Sequence, residues 1–351
     1  MELCKLIESI TPPDEAARRE ARRRWDACAK PLGSLGLLED AICEIAALTG
    51  SADVALVPRA ALVLCADNGV TARGVTQTGS EVTACVARQL ALGRTAVCRM
   101  AARIDCRVVP ADFGIRDFPG FPGVLERRVG NGTADFTEGP AMTRKQAEAA
   151  ILAGVELVRA EAERGTRLLA AGEMGIGNTT TASAVTAVLT GVDPEQVTGR
   201  GAGLSDEGLR RKLRAIRRGV ELNRPDANDT LDVLSKLGGF DLAGLCGVYL
   251  GGALCRVPVL IDGFPSAAAA LCAARLCPAV KKAMLASHVS AEPAGALLLH
   301  ELGKEPLITA KLRLGEGSGA VAAMPLLDMA LAVYRECYTF AEGGIEPYTP
   351  H

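Results

Sequence analysis

Short apolar runs alternate with longer Ala-rich stretches of helical period over most of the chain, and this alternation carries the first inference about its fold. The runs Ala60 to Ala66, Cys106 to Ala111, Arg167 to Ala171, Val257 to Ile261 and Ala283 to Ala286 are nearly continuous in apolar residues, as expected of strands buried on both faces. With helix-length segments between them, they predict β-α units around a parallel sheet. Ahead of them, residues 13–50 read as helical, broken by the turn-forming stretch Lys30-Pro31-Leu32-Gly33-Ser34-Leu35-Gly36. Behind them, Ala322 to Phe340 reads as an Ala- and Leu-rich helix that packs back on the N-terminal ones. That return makes any small domain of the chain ends discontinuous. At 351 residues, one large domain with a smaller satellite fits the length better than a single unit.

Four of the apolar runs end in a carboxylate followed by glycine: Asp67-Asn68-Gly69, Asp112-Phe113-Gly114, Gly172-Glu173-Met174-Gly175 and Asp262-Gly263-Phe264. Open parallel sheets bind ligands outside the carboxyl ends of their strands, so these turns are expected to converge on one site. Asp and Gly are also common in ordinary turns.

Three glycine-rich stretches bear on chemistry. Gly172-Glu173-Met174-Gly175-Ile176-Gly177-Asn178-Thr179-Thr180-Thr181 follows a strand and precedes a helix expected over Ala182 to Thr190. It offers free backbone N–H groups and hydroxyls at a helix start, which suits a phosphate. It lacks the Gly-Lys-Ser/Thr of a Walker loop and the third glycine of a dinucleotide fingerprint. Gly199-Arg200-Gly201-Ala202-Gly203-Leu204-Ser205 repeats the theme before a helix opening at Asp206 that carries Arg210, Arg211, Lys212 and Arg214. A cation one or two turns into that helix can reach an anion on the preceding loop, although a basic helix face is more commonly just solvated. Leu314-Gly315-Glu316-Gly317-Ser318-Gly319 sets a carboxylate between glycines before an apolar helix. Desolvation there raises a Glu toward the range of a general base, while the adjacent helix N-terminus pulls the other way.

Composition narrows the partners. Lys plus Arg (39) nearly balances Asp plus Glu (41) with no long run of either sign, which argues against nucleic acid or a membrane surface and for a small molecule. The twelve cysteines are scattered, mostly among apolar neighbours, and read as reduced core thiols. There is no Cys-x-x-Cys, and only His288, His300 and His351 could supply imidazole, so no metal site is expected. His288, in Ser287-His288-Val289-Ser290-Ala291-Glu292, reads as a hydrogen-bonded core residue, since no Gly-x-Ser-x-Gly elbow exists. The longest apolar run, Leu242 to Cys255, contains four glycines and is shorter than the ~20 residues a spanning helix needs. The N-terminus lacks the apolar segment of a signal peptide. A cytoplasmic protein is expected.

Taken together, the motifs resemble the nicotinate-nucleotide:dimethylbenzimidazole phosphoribosyltransferases. The matching segments, in family order, are KPLGSLGLLE from Lys30, ADNGVTARGV from Ala66, GPAMT from Gly139, GEMGIGNTTT from Gly172, DVLSKLGGFDL from Asp232, SHVSAE from Ser287 and LRLGEGSGA from Leu312. The resemblance implies an α/β fold, a three-layer, Rossmann-like parallel sheet flanked by helices. It also implies a small helical domain from both chain ends (1–57 with 333–351) beside a large catalytic domain (58–332), and a homodimer. It casts Glu316 as catalytic base and Glu173 as a second catalytic carboxylate of the pocket loop. The donor and its phosphate would lie on Gly175, Ile176, Gly177, Asn178, Gly201, Gly203, Lys212, Gly263 and Ser290, and the acceptor base near Thr78 and Leu314. No cofactor and no metal are implied. The expected reaction moves ribose 5-phosphate from nicotinate mononucleotide to 5,6-dimethylbenzimidazole. Alternatives are another acceptor, such as adenine, a different benzimidazole or a phenol, and a nucleotide-binding module without turnover. The chain departs from the family at Asn68, where many relatives have His, and at Val86, about where a glutamine is expected.

Overall fold

The computed structural model describes residues 3–348, so His351 lies outside the described residues. Six parallel strands form one sheet: β1 (Arg59–Ala66), β2 (Cys106–Gly114), β3 (Leu125–Glu126), β4 (Leu168–Met174), β5 (Val259–Ile261) and β6 (Met284–Ala286). Their order is β3-β2-β1-β4-β5-β6, so the winding reverses between β1 and β4. That pair runs in register from Arg59 opposite Leu168 to Cys65 opposite Met174. Five strands fall where the apolar runs predicted them. The two-residue β3 was not anticipated, being too short for a pattern of its own.

The strands are apolar throughout because both faces are covered. Ala60, Leu62 and Leu64 of β1 point into one apolar cluster, together with helices Arg144–Glu163, Phe240–Cys255 and Phe264–Leu276. Ala61, Val63 and Cys65 point into the other, with helices Glu15–Ala27, Leu37–Thr49 and Ser318–Glu336. The helices from the two chain ends, with helices Glu81–Ala91 and Ala96–Ala101, thus form the second outer layer, where the Trp25 and Tyr334 rings lie 5.1 Å apart. The boundary expected at 332/333 falls inside the unbroken helix Ser318–Glu336.

The loop at Lys30–Gly36 is organised by Glu39, which is fully buried and accepts from Lys30 Nζ, Leu35 N and Arg22 Nη1. The glycines of helix Phe240–Cys255 serve close helix packing. A Cβ at Gly247 would stand 1.9 Å from the Ile151 carbonyl, and one at Gly154 would stand 2.0 Å from that of Gly244. No described helix is long and apolar enough to cross a membrane.

Candidate active site

A cleft of about 240 Å³ opens at the carboxyl ends of β4 and β5, beside the point where the strand order reverses and where such sheets bind ligands. Glu316, Glu173, Gly175, Ile176, Gly177, Asn178, Gly201, Gly203, Gly263, Ser290, Thr78 and Leu314 all line it. The sequence reading missed Thr76, Gln77, Arg200, Phe264, Arg313 and Glu292 as lining residues. Nothing in their spacing marks them, except that Arg200, Phe264, Arg313 and Glu292 sit inside segments already singled out.

One wall is the loop after β4. Gly177, at φ 93°, ends it and caps a helix, Asn178–Thr190, which starts a turn earlier than the polar residues Asn178 to Thr181 suggested. Thr181 satisfies its hydroxyl on the Asn178 carbonyl at 2.8 Å, so these β-branched polar residues are tolerated inside the first turn. Ile176 N–H donates to Thr83 Oγ1 at 3.1 Å. The Gly177 and Thr179 N–H groups have no partner among the described residues, leaving donors free at a positive helix end.

Lys212 does not line the cleft. It is fully buried on helix Asp206–Asn223, and Nζ donates to Thr179 Oγ1 at 2.8 Å and to the Gly199 carbonyl at 3.1 Å. It therefore braces both glycine loops from behind. Burial pushes its pKa down to about 8, against the nearby charge of Glu292. Glu292 Oε2 is itself buried without a partner among the described residues.

The opposite wall carries Glu316. Gly315, Glu316 and Gly317 have φ of 88°, 61° and 82°, so Glu316 holds a left-handed conformation that costs a non-glycine residue roughly 1–2 kcal/mol. The tertiary structure imposes it. Glu316 N–H donates to the Glu173 carbonyl at 3.2 Å, and β4 approaches so closely that a Cβ on Gly172 would stand 2.5 Å from Gly317 N. The Glu316 carboxylate is half-buried and faces the start of helix Ala96–Ala101, with Val97 N–H 3.4 Å from Oε2.

Glu173 is in a different electrostatic state. Its carboxyl accepts from Asn178 Nδ2, yet burial, reinforced by Asp241 and Asp262, raises its pKa to about 8. These neighbours favour its neutral, protonated form. Asp241, behind it at the start of helix Phe240–Cys255, is raised by burial to about 6.

The other strand-end carboxylates support the site without lining it. Asp67 Oδ2 accepts from Arg116 N, and Asp112 accepts from Gly114 N, Ile115 N and Arg128. Asp262 accepts from the glycine loop of Glu316. His288, expected in the core, is buried but also lines the cleft. The Ser287 hydroxyl donates to the Ile261 carbonyl, so the 3.0 Å contact between Ser287 Oγ and His288 Nδ1 makes Nδ1 the protonated nitrogen and leaves Nε2 an acceptor. Burial lowers the His288 pKa, against the charge of Asp262, which favours the neutral ring. Asn68 is buried, with Nδ2 3.5 Å from the Ile176 carbonyl. Val86 packs against the second apolar cluster and does not line the cleft. No group of three or more His, Cys, Asp or Glu side chains able to hold a metal occurs among the described residues.

A family model described as DBI_PRT, phosphoribosyltransferase, matches residues 10–345. A protein of Acetivibrio thermocellus named "Nicotinate-nucleotide--dimethylbenzimidazole phosphoribosyltransferase" is 47% identical over 348 residues, 99% of each chain. One of the same name from Desulforudis audaxviator is 44% identical over 98% of each chain. The crystal structure of CobT from Thermus thermophilus superposes with a TM-score of 0.89 at 42% identity, covering 95% of this chain and 100% of that one.

Proposed function

The chain belongs to the nicotinate-nucleotide:dimethylbenzimidazole phosphoribosyltransferase family, and on that premise we propose that it moves ribose 5-phosphate from nicotinate mononucleotide to 5,6-dimethylbenzimidazole or a related base. The products are nicotinate and α-ribazole 5′-phosphate, the precursor of a cobamide lower ligand. The observation that carries this reading is the joint lining of one cleft by the Glu316 carboxylate and by two glycine loops, one of them with unpartnered N–H groups at a helix start.

The donor phosphate sits on the Gly177–Thr179 turn and the Gly201–Gly203 loop, with the Lys212 charge directly behind both. Gly263 and Ser290 line the same cleft and complete the donor side in this reading. One ring nitrogen of the acceptor attacks C1′ of the ribose from the face opposite nicotinate. The C1′–N bond to the pyridinium breaks, its electron pair returns to the ring nitrogen, and the configuration changes from β to α. Glu316 takes the proton from the acceptor's other nitrogen. In this reading the flat acceptor ring packs on Thr78 and Leu314, which both line the cleft.

A charged Glu173 would stabilise the oxocarbenium-like transition state, but its protein neighbours alone favour the neutral form. The cationic pyridinium of the donor lowers the cost of ionising it. Donor binding therefore favours the carboxylate form of Glu173, whose negative charge then lies beside the ribose as positive charge develops.

The test is incubation with nicotinate mononucleotide and a panel of benzimidazoles, adenine and phenols, with the ribotide identified by mass. Formation of α-ribazole 5′-phosphate supports the assignment, an adenine or phenolic product changes the acceptor, and no ribotide from any base rejects the reading. A homodimer and a cytoplasmic location belong to the same proposal on the strength of family membership. Sedimentation of the purified chain checks the first.

A further inference from the structure

The left-handed backbone at Glu316 is anchored from a strand far away in sequence. At the end of β5, Asp262 Oδ1 accepts from Gly319 N at 2.8 Å and Ala320 N at 3.0 Å, while Oδ2 accepts from Gly317 N at 3.1 Å. One carboxylate thus takes three of the N–H groups that open helix Ser318–Glu336. The helix's own N-cap position, Gly317, has no side chain to do so. A local Ser, Thr or Asp would cap the helix equally well. It would not tie the helix to the sheet, whereas a residue 55 positions earlier does.

Asp262 is itself held in place. Its N–H donates to Ser266 Oγ at 3.2 Å, and that hydroxyl donates to the Ala171 carbonyl of β4 at 2.7 Å and accepts from Tyr249 Oη at 2.6 Å. The ends of β4 and β5 and the Gly315–Gly317 turn are therefore one hydrogen-bonded unit. On its far side the helix start packs directly on the His288 ring, where a Cβ at Gly319 would stand 2.1 Å from it. Asp262 is buried and does not line the cleft.

We propose that Asp262 is a positioning residue for Glu316: by accepting from Gly317, Gly319 and Ala320 it fixes the turn that aims the Glu316 carboxylate at the acceptor ring, without touching either substrate. This rests on the reading of Glu316 as the base.

The experiment is a double-mutant cycle between Asp262→Asn and Glu316→Gln, with kcat and both KM values measured for each variant. The amide keeps one oxygen for Gly319 and Ala320 but turns an N–H donor toward the Gly317 N–H. Displacement of a reacting group by about 1 Å costs on the order of 100-fold, so Asp262→Asn should lower kcat by roughly 10- to 100-fold and leave both KM values within about twofold. In the Glu316→Gln background the same substitution should cost less than about threefold, because no base remains to be aimed. Full retention of the loss in that background, or a rise in both KM values with kcat unchanged, overturns the proposal. If Asp262→Asn does not fold, Ser266→Ala loosens the Asp262 backbone that carries the carboxylate. It should lower kcat by a smaller factor that also vanishes in the Glu316→Gln background, and an unchanged kcat again overturns the proposal. Wild-type turnover in Glu316→Gln alone rejects the base assignment itself. A large loss there with none in Asp262→Asn rejects only the positioning role.

Discussion

Lys212 stands behind Thr179, its ammonium donating to Thr179 Oγ1 at 2.8 Å across the interface between helices Asp206–Asn223 and Asn178–Thr190. A buried ammonium with two neutral oxygen partners is an incomplete arrangement, since its charge is offset only at a distance by Glu292. A phosphate on the adjacent loop would complete it.

Lys212→Ala should therefore raise the KM for the donor far more than that for the acceptor, because it removes both the charge behind the two glycine loops and the hydrogen bonds to Thr179 and Gly199 that hold them. The pH dependence follows from the depressed pKa. Below about 8 the group carries its charge, and above it the charge is lost. The donor KM of the wild type should rise as pH climbs from 7 to 9, and that rise should be absent in Lys212→Ala. Initial rates at varied donor and fixed acceptor measure both, and equal effects on the two substrates would contradict the assignment.

Glu316→Gln should preserve the fold and donor binding while lowering turnover by about 100- to 10,000-fold, the range of a lost general base. The amide is isosteric and keeps the left-handed turn, so a circular dichroism spectrum and thermal midpoint close to wild type should accompany the loss.

Glu173 makes a stability prediction with a definite sign. Its pKa is raised from 4.5 to about 8 in the folded protein, so between those values the native state binds more protons than the unfolded state and stability falls as pH rises. Glu173→Gln removes that slope. Thermal midpoints measured at pH 5 and pH 8.5 should fall less in the variant than in the wild type. An identical fall would show that Glu173 ionises normally.

Chelation should leave turnover intact. The cationic pyridinium ring of the donor becomes a neutral ring on leaving, so the chemistry needs no divalent ion to neutralise a pyrophosphate. Activity after exhaustive treatment with EDTA and dialysis measures this, and loss restored by magnesium or zinc would point to a different donor.

Much of this architecture is written locally. Strands buried on both faces need continuous apolar runs, so β1, β2, β4, β5 and β6 are visible in the sequence, as is the helix opening at Asp206 behind its Ser205 cap. Motif resemblance supplied the cleft residues because glycines at loop ends and a Glu between glycines leave a one-dimensional trace.

What the tertiary structure alone decided are relations between distant segments. Asp262 reads in sequence as one of four similar strand-end carboxylates, and only the approach of β5 to residues 317–320 turns it into the anchor of Glu316. Lys212 reads as one cation on a basic helix, and only packing buries it against Thr179 while its neighbours stay near solvent. Glu173 reads as a charged residue, and its raised pKa comes from desolvation together with Asp241 and Asp262, residues 68 and 89 positions further along the chain. Burial and through-space charge depend on which segments meet, and local pattern does not encode that.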